Sequence, residues 1–259
     1  MELANAHCLV TGASRGIGLA VARELAARGA RLTLVARNAV ALAHVADELG
    51  GYAMAADLLD PAEVDGLMER AEATGGGPVQ VLVNNAGIDL TMSFVEMTSA
   101  DIERIHRINL IVPIELTRQA LPSMIANGGH VVNMSSMAAS GGFPGMSAYC
   151  STKAGLSHFT RVLRLELRGT SVKLTAVEIG PVPTDMLAGI TYPPAEQAFR
   201  RMRRARLMPN VTAERVARSV TDAIERDRRA VRLPRRTALF PLLSALPQRC
   251  VEPLLRGIA

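Results

Sequence analysis

A chain of 259 residues that is 49% hydrophobic, with twelve methionines, three tyrosines, five phenylalanines and no tryptophan, can bury a large aliphatic core. Its three cysteines, Cys8, Cys150 and Cys250, are too few and too scattered for a disulfide framework or a metal-ligand set, and point to a reducing, cytoplasmic home. The net charge of +5 hides a run over 200–236 of thirteen arginines against four acids; no basic leader precedes an apolar stretch, and no segment of about 20 apolar residues exists to span a membrane.

Short apolar runs alternate with helix-like segments, the pattern of a mostly parallel sheet covered on both faces. Strands are expected at 6–11, 31–36 and 52–57, separated by helices over 15–28 and 38–49. A helix over 61–73 and a strand at 79–84 follow, then a long helix over 99–127 and a strand at 129–134. The last elements are a helix over 147–168, a strand at 171–178, a helix over 212–226 and a short strand near 230–233. Gly29, Gly50–Gly51, Gly75–Gly77 and Gly128–Gly129 punctuate the helix ends. The fold class is therefore α/β: one domain over 1–259, built on a doubly wound parallel sheet of about seven strands. Residues 183–210 break the rhythm with Pro183, Pro193, Pro194 and Pro209, and read as a loop serving as a substrate lid. An apolar tail over about 235–259 is suited to covering the substrate mouth, to packing on another subunit, or to peripheral contact with a membrane.

The most specific local motif is Thr11-Gly12-Ala13-Ser14-Arg15-Gly16-Ile17-Gly18, between the first strand and the first helix. Glycines there let backbone approach a pyrophosphate, and the helix start offers unpaired N–H groups at its positive end. The Gly-Lys-Ser/Thr ending of a triphosphate loop is missing. The second strand ends Val35-Ala36-Arg37-Asn38. A carboxylate at Arg37 would bond a ribose 2′-hydroxyl, whereas a guanidinium pairs with a 2′-phosphate; Arg15 is a second cation within reach. NADP(H) is therefore expected over NAD(H).

Tyr149 and Lys153, four residues apart, share one helix face, with Ser136 thirteen residues before the tyrosine. Ionising a phenol near pH 7 needs roughly 4 kcal/mol of help. A cation at ~4 Å supplies about that at an effective dielectric of ~20, and only ~1 kcal/mol in bulk water. The pair does chemistry only in a partly dry cleft.

With these motifs the chain resembles the short-chain dehydrogenase/reductase family, in the branch carrying Thr-Gly-x-x-x-Gly-x-Gly and Tyr-x-x-x-Lys. The likeness runs from about residue 5 to 234 and includes Asp57-Leu58, Asn84-Asn85-Ala86-Gly87, Asn109 and Ser135-Ser136. The resemblance implies a Rossmann-type fold and a catalytic set of Asn109, Ser136, Tyr149 and Lys153. Tyr149 would be the general acid or base, Lys153 would lower its pKa and bind the nicotinamide ribose, and Ser136 would hold the substrate oxygen. Asn109 would join a water relay through its main-chain carbonyl. Pro113 supplies a physical reason, since it has no N–H to bond that carbonyl four residues back.

For the cofactor the resemblance implies Gly12, Ser14, Arg15, Gly16, Ile17 and Gly18 at the turn, with Asp57 and Leu58 beside the adenine. Asn85, Ala86 and Gly87 would line the ribose side, with Asn84 structural. Gly180, Val182 and Thr184 would meet the carboxamide end, although Ile179 stands where the family usually has proline. Relatives pair two long helices, here near 99–127 and 147–168, so a homodimer or homotetramer is expected.

Met137, Phe143, Met146, Met186, Leu187 and Tyr192 flank these motifs and make an apolar substrate pocket, suited to a lipophilic carbonyl or alcohol. Cys150 has no base placed to activate it, and the five histidines show no metal spacing. The function expected is hydride transfer between NADP(H) and a carbonyl or secondary alcohol. The alternative is a non-catalytic NADP-binding regulator of the same fold. The arginine run admits nucleic acid as a partner, but none is expected because no recognition motif accompanies it.

Overall fold

The computed structural model describes residues 1–204 and 209–234. β1 (His7–Thr11) leads into α1 (Gly16–Ala27), and β2 (Arg31–Ala36), α2 (Ala39–Leu49) and β3 (Tyr52–Ala55) continue the alternation. Two helices, α3 (Pro61–Val64) and α4 (Leu67–Gly75), precede β4 (Val81–Asn84). α5 (Ser99–His106) passes through a π turn at Arg107–Ile111 into α6 (Val112–Asn127) and β5 (Gly129–Met134). A 3-10 turn at Met137–Ala139 comes before α7 (Ser147–Glu166) and β6 (Val172–Ile179). Then follow α8 (Asp185–Ala188), α9 (Pro193–Arg204), α10 (Ala213–Glu225) and β7 (Ala230–Leu233).

All seven strands are parallel, in the order β3-β2-β1-β4-β5-β6-β7. Successive side chains of a strand point to opposite faces, and the sequence fills both. Leu9, Leu82, Val131 and Leu174 join one core with Leu67 of α4, Leu116 and Met124 of α6, and Leu163 of α7. Val10, Val83, Val132 and Val177 join the other with Val21 and Leu25 of α1, Leu42 of α2, and Val216, Val220 and Ile224 of α10. Each such side chain contributes about 1.5–3 kcal/mol on burial. The connections diverge between β1 and β4, which opens a crevice at the strands' C-terminal ends.

Several elements depart from the sequence expectation for identifiable reasons. The helix expected over 61–73 is two, because Gly66 takes a left-handed conformation (φ 61°) between them. The long helix expected over 99–127 contains the π turn, where the Val112 N–H reaches back five residues to the Arg107 carbonyl just before Pro113. Residues 183–210, expected to be loop, carry α8 and α9. Pro193 and Pro194 occupy the first turn of α9, where a missing N–H costs nothing. The strand expected over 52–57 stops at Ala55, leaving Asp57 in a loop. Residues 205–208 of the expected lid and the whole expected tail over 235–259, with Cys250, lie outside the described residues. Among the described residues no helix is long and apolar enough to cross a membrane.

Candidate active site

The glycine-rich turn sits at the crevice, and its glycines are dictated by contact. Gly12 has φ +66°, and a Cβ on it would lie 2.9 Å from the Asn85 side-chain nitrogen and 3.0 Å from the Ala86 backbone. A Cβ on Gly18 would lie 2.2 Å from the Gly12 carbonyl oxygen. Gly18 thus packs the start of α1 against the turn rather than lining the cleft. The Asn85 side chain donates to the Thr11 carbonyl (2.9 Å), and Thr11 Oγ1 accepts from the N–H groups of Asn85 and Ala86 (2.9 and 3.0 Å). Arg15 is the extended residue before α1, and no side chain caps the helix start. Uncapped N–H groups beside a close-approach turn fit the pyrophosphate of a dinucleotide.

Arg37 is exposed on the cleft wall and makes no ion pair among the described residues. Arg15 Nη1 instead lies 2.6 Å from Asp185 Oδ2 on α8, each side chain about three-quarters exposed, a pairing that contributes little. Asp57 and Leu58 line the same wall, where Asp57 Oδ1 accepts from the Leu59 N–H at 3.0 Å.

The cleft encloses about 1620 Å³ and runs from Arg37 to α8 and α9. Gly12, Ser14, Arg15, Gly16, Ile17, Asn85, Ala86, Gly87, Gly180, Val182 and Thr184 line it, as do Met137, Phe143, Met146, Met186 and Leu187. Tyr192 does not. Its ring packs against Gly145, where an added Cβ would come within 2.5 Å, so it braces the loop behind Phe143 and Met146. Its place in the wall is taken by Phe199 of α9, stacked on Phe143 with ring centroids 4.8 Å apart, and by Ile190. Sequence reading missed both because they belong to a segment taken for loop.

At the other wall α7 sets Tyr149 and Lys153 one turn apart, and Ser136 faces them from the end of β5. Ser136 Oγ accepts the Ala138 N–H at 3.1 Å and donates to the Ile179 carbonyl at 3.5 Å, and it lies near enough to the Tyr149 phenol to lower that group's pKa. Lys153 Nζ is buried, donates to the Met134 carbonyl (2.9 Å), and lies 5.8 Å from the Tyr149 ring centroid. Burial pushes the tyrosine pKa well above its ordinary value; Asp89 adds to the rise and the Ser136 hydrogen bond opposes it. Burial also brings Lys153 down to about 8, with Asp89 opposing. The upward shift at Tyr149 is opposite to the one the sequence arithmetic asks of its lysine: burial of the phenol is its largest cause, and the Lys153 ammonium, turned to the Met134 carbonyl, is not among the groups that lower it. Tyr149 is therefore a proton carrier at neutral pH.

Asn109 is fully buried. Its Oδ1 accepts the Ile88 N–H (2.9 Å), while its Nδ2 donates to the Ile88 carbonyl (2.9 Å) and to Thr152 Oγ1 (3.3 Å). The side chain thus ties the loop after β4 to α7. Ser135 is structural, donating to the Lys153 carbonyl and accepting from Ser157, and Asn84 bonds Pro113, Thr117 and Asn133 inside the core. Burial drives the Cys150 thiol up to about 11, which leaves it protonated and inert.

A glycine turn at the divergence point of a parallel sheet, beside a tyrosine that keeps its proton and a buried lysine, defines a dinucleotide-dependent oxidoreductase. The profile of the short chain dehydrogenase family matches residues 6–193, and the chain belongs to that family, whose members use NAD(P) on C=O and CH–OH groups. Ketoacyl reductase HetN of Nostoc sp. is 39% identical over 175 residues, 65% of this chain and 61% of that protein. The chain thus spans about three-fifths of that relative. Human L-xylulose reductase is 36% identical over 189 residues, 71% of this chain and 75% of that one. The crystal structure of a short-chain dehydrogenase from Streptomyces avermitilis superposes with a TM-score of 0.81 at 26% identity, covering 97% of each chain.

Proposed function

We propose that the chain is an NADPH-dependent carbonyl reductase acting on a ketone with an apolar body, the reverse oxidation being the same chemistry run backward. The observation that carries this reading is the Ser136–Tyr149–Lys153 cluster, with the phenol held protonated by burial. When bound, the reduced nicotinamide supplies a hydride to the carbonyl carbon. The Ser136 hydroxyl donates to the substrate oxygen and fixes it beside Tyr149. Tyr149 gives its proton to that oxygen as the carbon–oxygen double bond becomes single, and the product is the alcohol. Lys153, with a pKa of about 8 and mainly cationic at neutral pH, stabilises the phenolate left behind. A water relay anchored on the Asn109 main-chain carbonyl and reaching Lys153 would return the proton from solvent.

NADPH is favoured because Arg37 and Arg15 both stand at the rim where a 2′-phosphate would sit, and Arg37 has no competing carboxylate among the described residues. The apolar wall of Met137, Phe143, Met146, Leu187, Ile190 and Phe199 favours a lipophilic substrate and excludes water from the reacting centre. Two copies would pair through α6, the π turn before it, and α7, which leave Ile111, Ile125, Val162 and Leu165 exposed. The two free cysteines among the described residues suit a cytoplasmic setting.

The test is an NADPH-oxidation screen across ketones of increasing chain length, run on the wild type and on Tyr149→Phe. Removing a general acid costs about 10²–10⁴ in turnover, while NADPH affinity should stay within about twofold. Turnover by the variant near the wild-type rate would sink the assignment of Tyr149.

A further inference from the structure

The family motifs do not account for Asp89, the acid that follows Ile88 in the loop after β4. Asn109 grips the Ile88 backbone from both sides, at 2.9 Å each, so the position of the next residue is fixed by a buried clamp rather than left to the loop. Asp89 lines the cleft. Its Oδ2 accepts the Thr91 hydroxyl at 2.9 Å, and its Oδ1, closed to solvent, has no hydrogen-bond partner among the described residues; burial raises its pKa, while Thr91, the Leu90 backbone and the Lys153 charge oppose the rise and favour the carboxylate. Its charge is felt at Lys153, Tyr149 and Cys150, so it sits at the catalytic end of the cleft and not at the adenine end.

The neighbours say which ligand it meets. Three residues on, the Met92 N–H donates to the Gly145 carbonyl at 3.1 Å, which lays this loop along the segment carrying Phe143 and Met146. That segment is the substrate wall. The glycine turn that fits the pyrophosphate is braced by Asn85 and Ala86, on the other side of Gly87. A carboxylate oxygen held without a donor in an otherwise apolar wall is an incomplete hydrogen bond, and the group that completes it comes with the ligand.

We propose that Asp89 is a specificity-determining residue that accepts a hydrogen bond from a hydroxyl or ammonium group next to the reacting carbonyl, and so selects hydroxy- or amino-ketones over plain ketones and over keto acids. The proposal rests on the carbonyl-reductase reading above. It deepens that reading by placing one polar contact in a lipophilic pocket, the arrangement that discriminates most strongly between near-isosteric substrates. Against an anionic substrate the same carboxylate repels.

The experiment uses the full chain and a matched set of medium-chain methyl ketones, whose terminal methyl carbon carries hydrogen, a hydroxyl or an ammonium group. The wild type should favour the hydroxyketone over the plain ketone by about tenfold to a hundredfold in kcat/KM. Asp89→Ala should bring that ratio to within about twofold by losing rate on the hydroxyketone alone. Asp89→Asn keeps an acceptor oxygen, and should retain much of the hydroxyl preference while losing the ammonium substrate. NADPH binding, followed by fluorescence titration, should be unchanged in both variants, which also shows that they fold. An unchanged substrate ratio in Asp89→Ala would overturn the proposal. An equal loss on every substrate, with weakened NADPH binding, would assign the missing donor to the cofactor ribose and overturn it too. A wild type that oxidises NADPH with none of the set would instead remove the carbonyl-reductase reading, and the proposal with it.

Discussion

Arg37 shows what one side chain decides in this site. It directly follows β2, where a dinucleotide fold uses a carboxylate to bond a ribose 2′-hydroxyl, and it stands exposed on the cleft wall with no ion-pair partner among the described residues. Arg15 is different, since Asp185 already holds it at 2.6 Å. On the NADPH reading, the discriminating charge for a 2′-phosphate would therefore rest mainly on Arg37. Arg37→Asp should raise the NADPH dissociation constant by about tenfold to a hundredfold, a change of roughly 1.4–2.7 kcal/mol, and leave NADH binding unchanged or tighter. Paired titrations of the two cofactors check it, and an unaltered preference would show that Arg37 does not read the phosphate. The place of Arg37 on the cleft wall was legible in the sequence because that place depends only on its distance from the glycine turn. Asp89 and Phe199 were not. Their places come from Asn109, which holds the Ile88 backbone beside Asp89, and from Phe143, on which Phe199 stacks 56 positions away, and nothing local marks an acid or an aromatic as facing a cleft.

Among the elements, the β1–α1 connection is the least tolerant of change. Gly18 and Gly50 look alike in sequence, each a small residue at a helix end, but the structure separates them. A Cβ on Gly18 would drive into the Gly12 carbonyl at 2.2 Å and the Asn85 amide at 2.5 Å, while Gly50 has φ +62° and open space around it. Gly50→Ala should cost only the left-handed backbone penalty, about 1–2 kcal/mol. Gly18→Ala must move backbone, costing about 1–3 kcal/mol, and should also abolish cofactor binding because the turn itself shifts. Urea titrations with parallel NADPH titrations separate the two; NADPH binding retained in Gly18→Ala would contradict the close packing. Strands and flanking helices were legible because unbroken Val and Leu runs, cut by glycine, have only one economical arrangement. The π turn and the two helices after β6 were not. The first depends on how Pro113 is accommodated in context, and the second on prolines that begin a helix as readily as they prevent one.

Across the whole molecule the polar groups divide between the two ends of the sheet, and the end away from the cleft carries its own pH liability. His130, near the start of β5, is 1% exposed; its Nε2 lies 2.7 Å from Thr175 Oγ1, which in turn donates to the Arg228 carbonyl at 2.6 Å. Thr175 has therefore spent its proton, and His130 donates through Nε2 as a neutral ring. Burial holds its pKa down to about 3, and His7, at the start of β1, is lowered by burial as well. A histidine at its ordinary value of 6.5 in the unfolded chain takes up a proton that the folded chain refuses, so stability is intact above pH 6.5 and falls as pH drops toward 3. Between pH 7.5 and 5.0 the linkage from His130 alone amounts to about 2 kcal/mol. Urea midpoints at the two values should show that drop in the wild type. In His130→Gln the neutral side chain should reduce it to the share left by His7. An equal drop in the variant would mean that the acid sensitivity arises elsewhere. In the cleft, burial keeps Tyr149 protonated and Lys153, at about 8, mainly cationic over this range, while the raised pKa of Asp89 acts in the opposite sense to the histidines. Activity lost on mild acidification should therefore follow the unfolding curve and return with neutral pH.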